Sequence, residues 1–575
     1  MSGPTDDKLI RVDMTKQTVT VEDFPDEWKI LGGRALSAKL LLAECDPTCD
    51  PLGPDNVLVF APGVLAGTAA PTSGRISVGA KSPLTGAIKE ANSGGNPGQH
   101  LMKLGYRAVV VTGQPSDAEK RYGIEVDGEG VRVVGADDLK MKWNYATCEA
   151  LAGKYSKTAS FITIGPAGEQ LLKGASVATT DQDNRYPARH AARGGLGAVM
   201  GSKGLKYLSV DPARARVRQP ADKAAFGDLI RNYTKAYQAG PQMFKEGTAS
   251  VVTVANMLNT FPTRNRTSGQ SEHVKALEGK RIIESFETNG GGMHNCMTGC
   301  IVQCSNVVHG EDGEYKTSAL EFETITLLGA NCDLDNMMDV ADLDRLCDEM
   351  GLDTIEAGAA IGVYMDAGEM EFGDAEGAKR LLREVAEGTE VGKLIGNGTL
   401  ATGTKLGHKR IPVVKGQALP AWDPRPLKAT GVTYATSPMG ADHTAGLIVN
   451  PGAQPEEYAQ LSQEAQIVNA VCDTSGFCQF LQPTLDDIRA FYGALYGEEV
   501  TREQIADQGW QCLEDEWEFN NRAGFTQADD DLPDCMREDP IGPMNLVWDV
   551  PQEIVQAAKK RLPAREELFA GRATG

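Results

Sequence analysis

The chain has 575 residues, of which 41% are hydrophobic and 24% charged, as in an ordinary globular protein of several domains. Acidic residues outnumber basic ones by 79 to 57, and the resulting net charge of −22 argues against binding to nucleic acid, which needs clustered Lys and Arg. No apolar run of about 18 residues predicts a membrane span, and the N-terminus lacks a secretory pattern. We therefore expect a cytoplasmic protein that does not contact a membrane.

The first 210 residues predict a sheet-rich domain. Short apolar, β-branched runs at 56–60, 75–79, 108–112 and 161–165 are separated by Gly, Pro and Asn. Runs of this length between turn residues are typical of strands joined by tight connections.

Helices are predicted in the rest of the chain. Apolar residues recur at three- and four-residue steps in the segments 222–239, 334–350, 354–367, 375–394 and 455–471. A Pro- and Gly-rich stretch at 411–439 divides these segments into two blocks. The sequence therefore predicts an α+β protein with a sheet-rich domain at 1–210 and mostly helical domains at 211–415 and 416–575.

Four cysteines form the strongest candidate site for an inorganic centre. Cys296, Cys300 and Cys304 lie within nine residues, and Cys478 follows far along the chain. Four thiolates bind a four-iron cluster, often with one ligand remote in sequence. Zinc sites normally use thiols two to four residues apart, so zinc is the closest alternative. Buried structural thiols are a third interpretation, and the spacing alone leaves all three open.

Two segments share the pattern Asp-x-x-Gly followed by Leu or Phe. The first runs from Asp348 to Leu352 and the second from Asp473 to Phe477, directly before Cys478. A carboxylate near a glycine turn can accept two hydrogen bonds from a planar amino-imine edge such as that of a pterin. Each segment alone is typical of a solvated helix end, but the repetition favours a ligand site.

The order and number of further motifs carry a resemblance to a known family. They are GGR (32–34), SGRIS (73–77), EANSGG (90–95), IGPAGE (164–169), ARGGLGAVMGSK (192–203), PTRN (262–265), EFET (321–324), DPR (423–425) and YATS (434–437). Along essentially its whole length the chain resembles the tungsten-dependent aldehyde:ferredoxin oxidoreductases.

The resemblance implies a cofactor and the residues that hold it. It implies a tungsten bis-pyranopterin without a protein ligand to the metal, a [4Fe–4S] cluster held by the four cysteines, and Mg2+ between the pterin phosphates. The expected pterin-cradling residues are Arg75, Asn92, Gly94, Gly95, Arg193, Gly194, Asp348, Leu352, Asp473 and Phe477. Among these, Asn92 and Gly194 would offer backbone oxygens to Mg2+, which prefers hard oxygen ligands.

The resemblance also implies two catalytic residues. Glu323 of the EFET motif matches the family's glutamate, and His443 matches its histidine. A carboxylate and an imidazole beside the metal could exchange a proton and polarise a carbonyl group. Glu321 is the obvious misassignment for Glu323, and a histidine satisfied within the core remains the alternative for His443.

Two departures from the family pattern concern the cluster and one pterin. The cysteine triplet has three residues in each gap, where the family usually has two in the first, and Phe477 stands where a leucine is usual. The first departure implies a one-residue insertion in the loop that would carry the cluster.

Three functions follow as hypotheses. The first is oxidation of an aldehyde substrate to a carboxylic acid, with electrons passing to ferredoxin or to an iron–sulfur partner subunit in an expected oligomer. The second is a low-potential reductase subunit, acting on an aromatic-ring thioester or a carboxylic acid. The third is a zinc-stapled structural or cofactor-carrier protein, which elemental analysis would distinguish. The presence of Glu323 and His443 within their motifs favours the first hypothesis, the oxidation of an aldehyde.

Overall fold

The N-terminal region contains two six-stranded mixed sheets. The computed structural model of the chain describes residues 7–213, 215–241 and 244–569. The strands of this region are β1 (Lys8–Asp13), β2 (Thr18–Asp23), β3 (Leu58–Pro62), β4 (Ile76–Lys81), β5 (Ile88–Ser93), β6 (Tyr106–Thr112), β7 (Tyr122–Asp127), β8 (Gly130–Gly135), β9 (Ser160–Thr163), β10 (Val177–Thr179), β11 (Arg189–Ala191) and β12 (Leu205–Val210).

The two sheets share one hydrophobic core. Their strand orders are β2-β1-β6-β3-β4-β5 and β11-β10-β9-β12-β7-β8, with one parallel pair in each, β1 with β6 and β7 with β12. Buried residues of both sheets, such as Val78 and Ile162, belong to the same cluster. The region's helices are α1 (Gly33–Glu44), α2 (Pro97–Lys103), α3 (Asn144–Lys154), α4 (Pro166–Glu169) and α5 (Leu196–Ser202).

Helices dominate the rest of the chain, so the predicted α+β class is confirmed. They are α6 (Lys223–Ala239), α7 (Val252–Met257), α8 (Val274–Leu277), α9 (Gly279–Asn289), α10 (Phe322–Thr324), α11 (Met337–Met350), α12 (Thr354–Asp366), α13 (Ala375–Glu387), α14 (Glu390–Gly396), α15 (Thr399–Leu406), α16 (Lys428–Thr436), α17 (Tyr458–Ser475), α18 (Leu485–Tyr496), α19 (Arg502–Arg522), α20 (Asp534–Glu538) and α21 (Gln552–Ala557). No helix within the described ranges is both long and apolar enough to cross a membrane.

One predicted helix is in fact two. The segment 375–394 is divided into α13 and α14 at Gly388, whose φ of +69° is left-handed. Its N–H bonds to carbonyls of the last turn of α13, as at many helix ends that use glycine. Thr389 then caps α14 by accepting a hydrogen bond from the Gly392 N–H. The apolar periodicity continues across the break, which explains why the pattern alone predicted one helix.

A small sheet beside the cysteine triplet was not predicted. Its strands β13 (Gly291–His294), β14 (Ser305–His309) and β15 (Tyr315–Ser318) pair antiparallel, and β16 (Val413–Val414) pairs with β17 (Gln417–Ala418) elsewhere. The triplet lies in the connection between β13 and β14. The hydrophobic cluster of the middle region reaches Leu427, while the next cluster begins at Val414, so the divisions at 210 and 415 stay predictions.

Candidate active site

One cavity is lined by residues from all three predicted parts of the chain. Its space, including its opening to solvent, is about 1620 Å³. Twelve of the predicted site residues line it: Arg75, Asn92, Gly94, Arg193, Cys296, Cys304, Glu323, Asp348, Leu352, His443, Asp473 and Cys478. Gly95, Gly194, Cys300 and Phe477 lie outside this lining. We call this space the main cavity.

The thiols of the cysteine triplet differ in their pKa values, since that of Cys296 is lowered and those of Cys300 and Cys304 are raised. The hydrogen bond from Cys300 lowers the pKa of Cys296 to about 6 against the effect of burial, and the charges of Arg189 and Arg75 lower it further. Burial raises the pKa of Cys304. At Gly94 an added Cβ would lie 3.2 Å from the Cys296 sulfur, so the glycine leaves space beside it. Within the described residues, no three His, Cys, Asp or Glu side chains converge closely enough to hold a single metal ion.

The end of α17 places the fourth thiol. Gly476 terminates the helix with a left-handed φ of +85°, and the chain then turns so that Cys478 lines the main cavity. Cys472 lies on the helix itself, where its sulfur donates to the Phe477 carbonyl at 3.4 Å. A Cβ at Gly63 would come within 2.1 Å of Gly476, so close backbone packing fixes this turn.

Phe477 and Leu352 occupy different environments. Leu352 lines the main cavity, as expected for a side chain next to a pterin. Phe477 is fully buried and lies nearly parallel to the Tyr233 ring, with 6.3 Å between centroids, and edge-on to Phe491. The larger side chain therefore packs into the hydrophobic core behind the cavity, and the structure gives it no side-chain contact with the cavity.

The carboxylate of Asp348 already has partners. It lies near the C-terminal end of α11, where His190 Nε2 is 2.9 Å from Oδ1 and the Tyr145 hydroxyl donates to Oδ2 at 3.3 Å. Tyr145 also contacts the guanidinium of Arg345, which lies 3.6 Å from the ring centroid. His190 and Tyr145 thus hold Asp348 in place from the protein side.

Asp473 is more isolated. Its oxygens accept only long hydrogen bonds, 3.3 and 3.5 Å, from the Gln479 amide. Burial raises the pKa of this carboxyl well above its usual range, and the nearby Glu90 raises it further. Glu90 also lines the cavity, and its Oε1 has no hydrogen-bond partner among the described residues. Both carboxyls can therefore accept donors from a ligand.

Arg75 and Asn92 form one side of the cavity. The Arg75 guanidinium donates to the Asn92 side-chain oxygen and, at 3.2 Å, to its backbone oxygen. Burial alone would lower the pKa of Arg75, but the thiols of Cys478 and Cys296 and the Asp473 carboxyl raise it above its usual value. Arg75 therefore stays charged, between the thiols and the side of the cavity where the pterin phosphates are expected.

The backbone near Gly95 and Gly194 leaves little space for a side chain. Gly95 has a φ of +80°, and an added Cβ would lie 2.6 Å from the Thr180 oxygen. Gly194 has a φ of +84°, and its Cβ would lie 2.4 Å from a carbon of Lys89. The Gly194 carbonyl accepts from the Ser82 hydroxyl at 2.6 Å, so one of its two lone pairs is already used.

Arg193 belongs to a buried ion network that extends to His443. Lys89 Nζ lies 2.6 Å from Asp442 Oδ2, and Arg193 Nη1 lies 3.7 Å from the same oxygen. Arg193 also donates to the carbonyls of Ala418 and Ala441 at 2.5 and 2.6 Å. The other oxygen of Asp442 accepts from the Thr444 N–H at 3.0 Å, which holds the turn that carries His443.

Glu323 and His443 are neighbours in the lining of the main cavity. Glu323 Oε2 accepts from the Ala421 N–H at 2.6 Å, and Oε1 lies 3.8 Å from His443 Nε2. Neither Glu323 Oε1 nor His443 Nδ1 has a hydrogen-bond partner within the described part of the chain. Glu321, by contrast, accepts a hydrogen bond from the Thr248 hydroxyl. Glu323 and His443 are therefore the cavity-lining pair in which each residue has an atom without a hydrogen-bond partner among the described residues.

Sequence reasoning missed several charged groups that line the cavity. These are Glu90, Arg189, His190, Asp344, Asp353 and Asp442. Burial raises the pKa of Asp344 well above its usual range, with Asp348 adding to the effect. Asp344 and Asp348 are four residues apart on α11, and this spacing could have indicated that they share one face of the helix. The others come together only through tertiary packing.

Comparison with known proteins adds to this geometry. A mixed-sheet domain and helical segments together surround one cavity lined by thiols and arginines. Residues 9–212 match the model of the N-terminal domain of aldehyde ferredoxin oxidoreductase, and residues 228–559 match domains 2 and 3 of the same family. The chain belongs to the aldehyde ferredoxin oxidoreductase family, which confirms the resemblance and the fold class.

Relatives agree with this assignment. The chain is 32% identical over 572 residues to the tungsten-containing aldehyde ferredoxin oxidoreductase of Pyrococcus furiosus, covering 93% of this chain and 92% of the relative. The Thermococcus kodakarensis protein of the same description is also 32% identical, over 574 residues, with the same coverages. The WOR-like subunit of an aliphatic sulfonate oxidoreductase of Pyrococcus furiosus is 27% identical, covering 86% of this chain and 83% of the relative.

A solved structure shares the fold. The active-site complex BamBC of benzoyl coenzyme A reductase, in complex with 1,5-dienoyl-CoA, superposes with a TM-score of 0.81 over 97% of this chain and 94% of that one, at 18% identity. Membership of a tungsten-containing family implies a tungsten pterin cofactor and an iron–sulfur cluster. The donor set fits such groups, since unpaired carboxyl oxygens, a charged arginine and the thiols of Cys296, Cys304 and Cys478 border one cavity.

Proposed function

We propose that the protein oxidises an aldehyde with water to a carboxylic acid, releasing two electrons and two protons. The observation that carries this proposal is the Glu323–His443 pair, in which Glu323 Oε1 lies 3.8 Å from His443 Nε2, in the lining of the cavity that thiols also line. The bound tungsten bis-pyranopterin supplies the two-electron exchange with the substrate, which protein side chains cannot perform.

The pterins are held from two directions. Asp348 and Asp473 accept hydrogen bonds from the amino-imine edges of the two rings, because carboxylates pair well with such donors. Arg75 and Arg193 lie on the phosphate side, where guanidinium groups favour anions. The backbone oxygens of Asn92 and Gly194 bind Mg2+, which accepts hard oxygens and keeps several waters.

Glu323 and His443 divide the proton chemistry. Glu323 Oε1, held in place through the Ala421 contact of Oε2, accepts a proton from the attacking water. His443 Nε2 donates a hydrogen bond to the carbonyl oxygen of the aldehyde and stabilises the charge that develops there. The network of Lys89, Arg193 and Asp442 fixes the turn on which His443 lies.

Cys296, Cys300, Cys304 and Cys478 would hold a [4Fe–4S] cluster, which would supply one-electron transfer out of the site. The charged Arg75 and Arg189 offset the negative charge of such a thiolate cluster. Ferredoxin or an iron–sulfur partner subunit then accepts the electrons one at a time. Both partners suit a family whose relatives are described as ferredoxin oxidoreductases.

The test is an anaerobic assay of the purified protein with aliphatic and aromatic aldehydes and a viologen acceptor, accompanied by elemental analysis. We expect viologen reduction that depends on the aldehyde, with tungsten and about four irons per chain. Zinc without tungsten would contradict the proposal. Reduction of an aromatic thioester, without aldehyde oxidation, would instead favour the reductive direction of the benzoyl coenzyme A reductase complex.

A further inference from the structure

A second thiol pair lies outside the main cavity, at the C-terminal end of α1. The sulfurs of Cys45 and Cys49 are 3.9 Å apart, which is van der Waals contact for sulfur. Cys45 is 4% exposed, while Cys49 is half-buried and reaches solvent. The sequence spacing gave no reason to pair them. In the structure, the turn at 46–49 brings Cys49 back over the helix end, where the Cys49 N–H donates to the Asp46 carbonyl.

Buried lysines hold the chain around this pair. Lys81 Nζ donates to the carbonyls of Pro47 and Cys49 at 2.6 and 2.7 Å. Lys203 Nζ donates to the carbonyls of Gly53 and Pro54, at 3.2 and 3.1 Å. The backbone of the turn and of the segment that follows it is therefore tied to two buried lysines.

The two thiols differ in reactivity. The hydrogen bond from Cys45 lowers the pKa of Cys49 against the effect of burial, and the positive charge of Lys81 lowers it further. Cys45 keeps its proton, since its pKa is raised by the same hydrogen bond and by burial. A partly exposed thiol of lowered pKa next to a buried thiol of raised pKa is the usual arrangement of an attacking and a resolving cysteine.

We propose that Cys45 and Cys49 form a peroxide-oxidisable dithiol site, separate from the cysteines of the proposed cluster. The Cys49 thiolate attacks a hydroperoxide, forming a sulfenic acid and releasing water or an alcohol. The Cys45 sulfur then attacks the sulfenic sulfur, forming the disulfide and releasing water. In total, two thiols and one hydroperoxide give one disulfide and two reduced oxygen products, and a dithiol reductant reverses the change.

The remaining thiols offer a matched comparison inside the same molecule. Burial raises the pKa of Cys148 to about 12. Cys148 has only the hydroxyl of Thr163 as a weak partner, at 4.0 Å. A thiol of this kind reacts slowly with peroxide because the thiolate is the reactive form.

Tryptic peptides allow the oxidation of the Cys45–Cys49 pair and of Cys148 to be measured separately. Cleavage after Lys39 and Arg75 releases residues 40–75, which contain Cys45 and Cys49 and no other cysteine. Cleavage after Lys142 and Lys154 releases residues 143–154, which contain Cys148 alone. Both peptides can be measured in one digest of the anaerobically prepared holoenzyme after brief treatment with hydrogen peroxide and alkylation with iodoacetamide.

After treatment, we expect peptide 40–75 to carry no alkyl group and to be two hydrogens lighter, while peptide 143–154 is alkylated. Dithiothreitol before alkylation should restore two alkyl groups. In Cys45→Ser, the sulfenic acid of Cys49 should persist and be captured by dimedone. If both thiols stay alkylatable at a peroxide dose that already blocks Cys148, or if Cys49 of the wild type passes to sulfinic acid, the proposal is wrong.

Discussion

Two faces of the main cavity carry the same short motif in different surroundings. We call residues 296–355 of the lining the middle face and residues 442–480 the C-terminal face. On the middle face, Asp348 is bonded to His190 and Tyr145. On the C-terminal face, Asp473 has only long contacts with Gln479, and burial raises its pKa well above the usual range. The repeated motif thus gives one preformed and one unsatisfied carboxyl.

The difference indicates how the two faces depend on a ligand. On the middle face, Asp348 has its partners before anything binds, so this carboxylate can serve as a fixed anchor. The C-terminal face holds buried polar groups that lack partners, and such groups favour binding of a ligand that supplies donors. The unpaired Glu90 oxygen beside Asp473 belongs to the same unsatisfied region.

The largest expected effect tests the thiol of the C-terminal face. Cys478→Ala should remove most of the iron and abolish turnover, because a four-iron cluster needs four ligands. Cys472→Ala is the matched control, since that sulfur bonds to the Phe477 carbonyl and does not line the cavity. Iron analysis of both variants decides the assignment, and iron loss in Cys472→Ala alone would transfer the fourth ligand to Cys472.

The second effect tests the residue that faces His443 from the middle face. Glu323→Gln keeps the shape of the side chain but removes its capacity to accept a proton, so kcat should fall about 10²–10⁴-fold. Metal content and the reduced-cluster spectrum should remain normal. Glu321→Gln is the control, because that carboxyl is bonded to Thr248. Near-normal turnover of Glu323→Gln would remove the carboxylate from the mechanism.

The third effect compares the two aspartates directly. Asp348→Ala and Asp473→Ala should each lower tungsten content, since a lost hydrogen bond to a charged group costs about 1.5–3 kcal/mol, or roughly 10–100-fold in affinity. Only Asp348→Ala should also destabilise the tungsten-free protein, because it removes the contacts of this carboxylate with His190 Nε2 and the Tyr145 hydroxyl. Thermal unfolding and tungsten analysis of both variants test this; full tungsten loading in both would contradict the proposed pterin contacts.

The sequence was sufficient for the elements with strong local patterns. The long helices and the sheet-rich first region followed from periodicity and turn residues. The break at Gly388 was missed because the apolar pattern continues across it, and the small sheet of β13–β15 because its strands are short and pair around the cysteine loop. Local patterns do not report pairings of this kind.

For the site, motif order placed most of the proposed residues at one cavity. It did not show that Phe477 packs against Tyr233 in the core, or that Cys45 contacts Cys49. It also missed the pairing of Lys89 with Asp442, which are 353 residues apart in the chain. These arrangements depend on which residues tertiary packing brings together, and no local spacing records that.

The smallest effect concerns the charge of Asp473 in protein prepared without tungsten. Burial, and after it Glu90, raises the pKa of this carboxyl in the folded state, so the folded protein binds a proton that the unfolded chain releases above about pH 4. Stability should therefore decline as the pH rises through this window, because the unfolded state binds fewer protons. Asn carries no charge at any pH, so Asp473→Asn should remove this part of the decline.

The measurement is the midpoint of thermal unfolding of both tungsten-free proteins at steps from pH 4 upwards. The variant should gain on the wild type as the pH rises, by a few degrees at most. Its amide can also donate to the unpaired Glu90 oxygen, which adds a constant offset that does not follow the pH window of Asp473. A difference that stays constant at every pH would show that Asp473 is ionised in the folded state, and the contrast between the two faces would then reduce to the partners of Asp348.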